Sequence, residues 1–153
     1  MTGDHYTLRC LGCGKQFAEA ERGFLLGCDA AHPPALLRAS YRNSRFTIHS
    51  GHPGIFRYSD WLPVRRILPR ASAPVVFRSE ELGRRLGLEN LAVAFSGYWP
   101  ERGAAMEACT FKELEALPIC ARIPPGEERA LVVSSAGNTG RDDQFRFVLC
   151  VQR

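Results

Sequence analysis

Apolar and polar segments alternate in the second half of the chain and predict a series of strands and helices. Three apolar runs have the length of buried strands: 75–77, 91–95 and 130–134. Ser79 is placed to cap a helix over 80–86, which has an acidic first turn and ends at Gly87, a residue suited to a left-handed stop. Strand, helix, strand in this order favours an α/β fold with a parallel sheet and helices packed on it.

A further helix is predicted to begin at Thr110, because residues 110–113 read T-F-K-E, the T-x-x-E pattern of a capping box. We expect this helix to run to about Cys120, with Pro118 kinking or shortening its last turn. Lys112 then lies in the first turn, where the positive end of the helix dipole disfavours a charged amine. A lysine that forms a Schiff base must lose its proton, so the position suits covalent catalysis, although most lysines on helix surfaces are merely solvated.

Residues 1–40 are predicted to form a small zinc-ribbon-like module, with short strands at 6–10 and 24–26 that each lead to a cysteine. Four residues have the chemistry and spacing of structural zinc ligands: Cys10, Cys13, Cys28 and His32. One alternative is a pair of reduced cysteines in a small turn, with the histidine at the surface. Another is a redox role for the C-x-x-C motif, but such motifs normally begin a helix, whereas Gly14 and the strand-like flanks indicate a metal-binding turn.

The middle of the chain, residues 41–74, is rich in proline, glycine and aromatic side chains and has no clear period. We predict an irregular segment that lies over a core and is anchored by Phe56, Tyr58 and Trp61. Long irregular segments in compact domains are often functional.

Composition adds limits on compartment and partners. The chain has 153 residues and a net charge of +4, but its basic residues are scattered, which argues against a nucleic-acid surface and suits a phosphorylated or anionic small substrate. No apolar run approaches the ~20 residues that span a bilayer, and the first residues lack the features of a signal peptide. We therefore expect a cytoplasmic protein without a membrane or nucleic-acid partner. In that compartment six cysteines indicate metal binding or free thiols, not disulfides.

A loop of small residues follows the predicted strand at 130–134. Residues 134–140 read S-S-A-G-N-T-G, and such a turn lets backbone N–H groups approach an anion such as a carboxylate or a phosphate. Ligands in parallel α/β sheets collect at the carboxyl ends of strands, where this loop is expected. An ordinary turn between a strand and a helix has the same composition, so the motif is ambiguous when taken alone.

Taken together, T-F-K at 110–112 and S-S-A-G-N-T-G at 134–140 resemble the fold-type II pyridoxal-phosphate (PLP) enzymes of the threonine synthase and cysteate synthase type. In these enzymes an [S/T]-F-K segment carries the Schiff-base lysine, and a later S-x-G-N-[T/A] loop holds the substrate carboxylate. Three other segments look like the cysteate synthase branch: P-G-I-F-R-Y at 53–58, D-W-L-P-V at 60–64 and G-Y-W-P-E-R-G-A at 97–104.

The resemblance extends over roughly residues 6–141 and implies roles for the matching positions. Lys112 would be the Schiff-base lysine, and Asn138 would hydrogen-bond the 3′-oxygen of the PLP ring. The substrate carboxylate would be lined by Ser135, Ala136, Gly137 and Thr139. The implied reaction is β-replacement, in which O-phosphoserine and sulfite give cysteate and phosphate for coenzyme M biosynthesis; the threonine synthase alternative uses O-phosphohomoserine. Relatives are commonly homo-oligomers, and residues 75–153 would form part of the PLP-binding sheet.

The end of the sequence departs from the family pattern. After Arg141 the family's small-residue helix is missing, and in the family the phosphate cradle and the partner of the pyridine nitrogen lie further downstream. A truncated or frameshifted gene would give residues 142–153 this character. We therefore expect the isolated chain to be inactive, to bind PLP weakly if at all, and to expose unpaired strand edges. The remaining alternative is a non-catalytic zinc-binding module that contacts protein or nucleic acid.

Overall fold

The computed structural model describes residues 5–127 and Gly137. Its strands are β1 (Tyr6–Cys10), β2 (Gln16–Phe17), β3 (Leu37–Tyr41), β4 (Val75–Arg78), β5 (Ala92–Phe95), β6 (Tyr98–Trp99) and β7 (Ala104–Ala105). Its α-helices are α1 (Glu19–Arg22), α2 (Glu80–Leu86) and α3 (Glu113–Arg122), and 3-10 helices span Gly54–Trp61 and Pro100–Arg102. The strands form three antiparallel sheets, β2-β1-β3, β4-β5 and β6-β7. No helix within these described residues has the length and apolar character needed to cross a membrane.

The first sheet follows from the alternation along β1. Tyr6, Leu8 and Cys10 are buried, and the residues between them are exposed, as expected for a strand with one face on a core. Leu8 pairs with Phe17 of β2, and Cys10 pairs with Leu37 of β3. Cys10 is thus the last core residue of the strand, and the C-x-x-C turn begins from a position that packing holds in place.

The strand expected at 24–26 is wrong. Leu25 donates its N–H to Glu19 Oε1 at 3.1 Å, and its carbonyl accepts a hydrogen bond from Arg122 Nη2 at 3.1 Å. Its side chain packs against the core of the first sheet, while Leu26 is 80% exposed. Side chains therefore take the backbone groups that a strand ladder would need, and the strands beside β1 come from elsewhere in the chain.

The parallel pairing expected from the strand-helix-strand order is also wrong for β4 and β5, which pair antiparallel with Val75 opposite Phe95. The bounds predicted for α2 are confirmed, and Gly87 ends the helix in the left-handed conformation with a φ of 69°. Just beyond β4, the Ser79 N–H bonds to the Leu91 carbonyl at 3.2 Å. A parallel crossover would have to carry the chain back along the whole length of β4, and this short helix does not. The helix therefore lies in the connection of an antiparallel hairpin between β4 and β5.

A second core lies between α3 and the irregular segment that precedes β4. Its fully buried members are Phe56, Val64, Leu117 and Ala121. Leu117 and Ala121 are one turn apart and share a face of α3, which brings both side chains onto the segment below. The helix extends beyond the expected end to Arg122 and keeps Pro118 in its interior. Burial on both sides of Pro118 offsets the backbone hydrogen bond that the proline removes.

The capping box expected at Thr110 does not begin the helix. α3 starts at Glu113, and Lys112 is its N-cap residue without a side-chain cap hydrogen bond. Thr110 Oγ1 accepts from the Lys112 N–H at 3.4 Å, while the Glu113 carboxylate accepts from the Ala108 N–H at 2.9 Å and from the Ser72 hydroxyl. Glu113 is only 1% exposed, and its carboxylate joins the start of the helix to Ser72, which is 41 positions away in the chain.

The aromatic residues of the irregular segment have different roles. Phe56 lies in the second core as expected, but Trp61 is 43% exposed, so its predicted role as a core anchor is wrong. Tyr58 stacks on Phe46 with the ring centroids 5.4 Å apart, and Trp61 meets the same ring edge-on at 5.6 Å. Trp61 therefore belongs to an aromatic group at the surface, where Phe46 supplies the apolar contact that the core does not.

Gly54 opens the 3-10 helix at a close backbone approach. Its φ is 51°, and a Cβ atom there would lie 2.4 Å from the carbonyl oxygens of Ala71 and Ser72. We expect Gly54→Ala to lower the free energy of unfolding by about 2 kcal/mol or more, because backbone strain and a steric clash add together. Gly87→Ala is the matched control, since Gly87 also has a positive φ but has no atom within 4 Å of that position; about 1 kcal/mol is expected there. Urea denaturation measures both, and equal losses would contradict the clash.

Candidate functional site

The four predicted zinc ligands come together at one end of the first sheet. The ligand atoms of Cys10, Cys13, Cys28 and His32 all lie within 4.8 Å of one another. Cys10 Sγ is 3.3 Å from His32 Nε2, and Cys13 Sγ is 3.7 Å from Cys28 Sγ, which is too long for a disulfide bond of about 2.05 Å. β1 and the turn after it supply the first two residues, and the connection between α1 and β3 supplies the other two. This arrangement can hold a metal ion.

Backbone N–H groups donate hydrogen bonds to two of the sulfurs. The Gly12 N–H donates to Cys10 Sγ at 3.3 Å, and the Ala30 N–H donates to Cys28 Sγ at 3.4 Å, so each donor lies two residues after its cysteine. The backbone N–H of Cys13 is the main cause that lowers the pKa of the Cys10 thiol to about 7, while burial acts in the opposite direction. The thiolate is the form of cysteine that binds metals, and the donors around Cys10 favour it.

His32 is oriented by the backbone next to it. Its Nδ1 lies 2.6 Å from the Pro33 carbonyl oxygen, an atom that can only accept a hydrogen bond. In the neutral ring Nδ1 therefore carries the proton, and Nε2 presents its lone pair toward Cys10. The Pro33 carbonyl raises the pKa of His32, against the effect of desolvation. A histidine that binds a metal through one nitrogen commonly donates the other N–H to such a carbonyl.

Two ion pairs also hold the connection that carries Cys28 and His32. Asp29 accepts hydrogen bonds from Lys15 Nζ and Arg22 Nη1, both at 2.6 Å. The bond from Lys15, followed by the one from Arg22, lowers the pKa of the Asp29 carboxyl to about 2. All three side chains are more than 40% exposed, and ion pairs at such exposure add little to stability. They help to align the connection but are too weak to hold it in place unaided.

Lys112 lies immediately before α3, one residue earlier than a first-turn position. Its Nζ is 2.7 Å from Glu115 Oε2 and 5.2 Å from the centroid of the Phe111 ring. About a third of the side chain is exposed, at 32%. The amine is therefore accessible from solvent, but it must leave the ion pair and lose its proton before it can act as a nucleophile.

The predicted cofactor and substrate loop lies outside the described residues, apart from Gly137. The residues outside are Ser135, Ala136, Asn138 and Thr139, together with the strand predicted at 130–134. Gly137 is exposed and lies in a bend. The roles that the resemblance assigns to this loop stay predictions.

A buried ion pair, which the sequence does not predict, joins the module of residues 1–40 to α3. Arg122 donates to the Glu19 carboxylate from Nε at 3.1 Å and also from Nη2. The Tyr6 hydroxyl donates to the same carboxylate, and burial is the first cause of the raised pKa of Tyr6. The Glu19 and Arg122 side chains are only 2% and 16% exposed. The partners are 103 positions apart, so no local sequence pattern could have indicated the pair.

Known proteins are similar to this chain along most of its length. A protein named cysteate synthase from Methanoculleus marisnigri is 50% identical over 139 residues, which are 90% of this chain and 31% of that relative. Cysteate synthases from Methanocorpusculum labreanum and Methanosarcina mazei are 47% and 43% identical, each over 89% of this chain and over 32% and 31% of their own lengths. No family profile and no solved structure matches the chain.

The match covers most of this chain but only a small part of each relative. The chain spans about a third of the length of the curated relatives it matches. A match over 90% of a 153-residue chain includes Lys112 wherever it begins. The resemblance predicted from the short motifs is confirmed, and over about nine-tenths of its length this chain is homologous to a part of cysteate synthases.

Proposed function

We propose that this chain is part of a PLP-dependent synthase that converts O-phosphoserine and sulfite to cysteate and phosphate. The observation that carries the proposal is the identity of 42–50% to proteins named cysteate synthase, over about 90% of the chain. PLP, when bound, supplies an electron sink next to the substrate's α-carbon and so allows phosphate to leave the β-carbon. The residues of this chain would bind and orient the cofactor and the substrate.

Lys112 is the proposed PLP-binding residue. The chain contains two lysines, and both are ion-paired, Lys15 with Asp29 beside the cysteine cluster and Lys112 with Glu115. Lys112 lies in the T-F-K segment with a partly exposed amine, which fits a residue that an aldehyde must reach. Next to it the buried Glu113 carboxylate is bonded to the Ala108 N–H, which holds the backbone at the start of α3. A reactive group on a fixed helix end is better positioned than one on a mobile loop.

The loop at 134–140 would complete the site. Asn138 is the proposed partner of the 3′-oxygen of PLP, and the proposed carboxylate site consists of Ser135, Ala136, Gly137 and Thr139. Small residues suit this role because backbone N–H groups can then approach a carboxylate closely. The relatives from all three organisms are named cysteate synthase, which favours O-phosphoserine over the O-phosphohomoserine used by threonine synthase. Assembly into a homo-oligomer and a cytoplasmic location stay predictions.

The presence of two lysines allows a direct test of the cofactor role. The purified chain is mixed with excess PLP, reduced with borohydride and digested, and mass spectrometry then maps the modified lysines. Although the isolated chain is expected to bind PLP weakly, excess PLP should still favour the proposed cofactor site, so we expect several-fold more modification at Lys112 than at Lys15. Lys15→Ala is the matched control and should leave the modification of Lys112 unchanged, whereas Lys112→Ala should leave only the weaker modification of Lys15. Equal modification of both lysines in the folded chain would show non-specific reaction and contradict the proposal that Lys112 lies in a cofactor site.

The choice of substrate is tested by competition in the same experiment. O-phosphoserine, added before PLP, is expected to reduce the modification of Lys112 at lower concentration than O-phosphohomoserine does. Both amino acids consume free PLP alike, so a difference between them reports on the protein. The opposite order would favour the threonine synthase reaction.

A further inference from the structure

We propose that Cys10, Cys13, Cys28 and His32 bind one structural Zn²⁺ ion. Three thiolates and one imidazole are a ligand set of structural zinc sites, in which four protein ligands fill the tetrahedron and leave no position for water or substrate. The inference is independent of the proposed synthase activity, because it depends only on the first sheet and the connection between α1 and β3.

The distances between ligand atoms match those of a zinc tetrahedron. Two sulfurs at about 2.3 Å from a zinc ion are about 3.8 Å apart at tetrahedral corners, and a sulfur and a nitrogen are about 3.6 Å apart. Cys13 Sγ and Cys28 Sγ are 3.7 Å apart, and Cys10 Sγ and His32 Nε2 are 3.3 Å apart. The largest separation in the set is within 4.8 Å, about 1 Å longer than the edge of such a tetrahedron. Three sulfurs and one imidazole nitrogen therefore lie close enough together to share one metal ion.

The groups around the ligands suit a metal as well as the ligands do. Gly12 and Ala30 direct their N–H groups at the sulfurs of Cys10 and Cys28, which offsets the negative charge of a thiolate-rich site. The Pro33 carbonyl holds Nδ1 of His32, so that Nε2 faces the cluster. Hydrogen bonds of this kind orient first-sphere ligands in zinc proteins.

Neither a disulfide nor a redox motif accounts for the geometry of all four residues. A disulfide between Cys13 and Cys28 would not explain why Cys10 Sγ contacts His32 Nε2. A redox C-x-x-C motif would begin a helix, whereas Cys10 ends β1 and is 1% exposed. A metal ion uses all four residues at once.

A zinc ion here would fix a stretch of chain that has little else to hold it. The connection between α1 and β3 contains neither helix nor strand, and its ion pairs through Asp29 are exposed. It nevertheless carries Leu25, whose N–H and carbonyl bond to Glu19 and Arg122. Zinc would tie this connection to the end of β1 and so keep Leu25 next to the buried ion pair. Its role would be to stabilise the contact between the module and α3.

The test begins with the chain expressed with zinc and purified under reducing conditions. We expect about one equivalent of zinc per chain by elemental analysis and, after exchange for Co²⁺, the intense visible bands of tetrahedral cobalt with thiolate charge transfer. Cys28→Ser and His32→Asn should lose the stoichiometric metal. Cys109→Ser is the matched control, because Cys109 is an exposed cysteine outside the cluster, and it should keep the metal.

Thiol titration covers the case in which the ligand variants fail to fold. In the native chain a strong chelator should expose three additional thiols to a disulfide reagent and lower the melting temperature. The proposal would be overturned if the thiols reacted fully before the chelator was added. It would also be overturned if they appeared only after a reductant was added, because that would reveal a disulfide. Stoichiometric zinc in the folded Cys28→Ser and His32→Asn variants would overturn the ligand assignment.

Discussion

Replacing Glu19 with alanine is expected to lower the free energy of unfolding by about 3–5 kcal/mol, because it leaves a buried charge without its partner. The Glu19 carboxylate accepts hydrogen bonds from Arg122 twice and from the Tyr6 hydroxyl and the Leu25 N–H. Without it the Arg122 guanidinium, which is 16% exposed, keeps its bond to the Leu25 carbonyl but has no charged partner among the described residues. Urea denaturation of the purified chain measures the loss.

A surface glutamate provides the control for this prediction. Glu81 also lies in the first turn of a helix and pairs with Arg84 and Arg85, but these side chains are 56–74% exposed. Glu81→Ala should therefore cost less than about 1 kcal/mol. If both glutamates gave the same small loss, the buried pair would not join the module to α3 in solution.

A double variant separates the unpaired charge from the loss of packing. Arg122→Met, introduced into Glu19→Ala, removes the stranded guanidinium and keeps an apolar side chain of similar length. We expect it to recover part of the stability that the single change removes, because replacing both members of a buried ion pair by apolar groups is often neutral. Further destabilisation by Arg122→Met in that background would mean that the charge is not the cause.

Truncation of Leu117 is expected to have an effect of similar size in the second core. Leu117 is 0% exposed and packs with Phe56, Val64 and Ala121. Leu117→Ala should lower the free energy of unfolding by about 2–5 kcal/mol, through lost apolar burial and the cavity left behind. The change does not reduce helix propensity, so the loss reports on packing alone.

Leu86 is the matched control for this prediction, because it is also a helical leucine but is 59% exposed. Leu86→Ala should change the stability by no more than about 0.5 kcal/mol. The same denaturation experiment measures both variants. A loss at Leu86 that equalled the loss at Leu117 would mean that the cost at Leu117 does not come from its burial.

The candidate site could be predicted as far as its chemistry is encoded in short spacings. Cys10 and Cys13 belong to one turn, and Cys28 and His32 are four positions apart, so the ligand types and their grouping are visible in the sequence. Lys112 could be singled out because T-F-K precedes the S-S-A-G-N-T-G loop by a characteristic interval. The surroundings of these residues could not be predicted. The ion pair of Lys112 with Glu115 and the carbonyl that orients His32 depend on side-chain rotation.

Two errors in the predicted fold have related physical causes. The strand expected at 24–26 is absent because Leu25 uses its backbone groups to bond Glu19 and Arg122. The capping box fails because the Glu113 carboxylate is taken by Ser72 and Ala108. In both cases a local preference worth about 1 kcal/mol loses to hydrogen bonds that include one distant partner, Arg122 for Leu25 and Ser72 for Glu113.

Helix and strand positions could thus be predicted where they depend on residues that are close in sequence. The strand at 6–10, the bounds of α2 and the stop at Gly87 each depend on a few neighbouring residues, and all are confirmed. The direction of strand pairing and the long-range contacts could not be predicted from the sequence. Whether β4 and β5 run parallel depends on the path of the chain between them, and the bond from Arg122 to Glu19 spans 103 positions. Such contacts form only when the folded chain brings distant segments together, and no periodicity of a few residues carries that information.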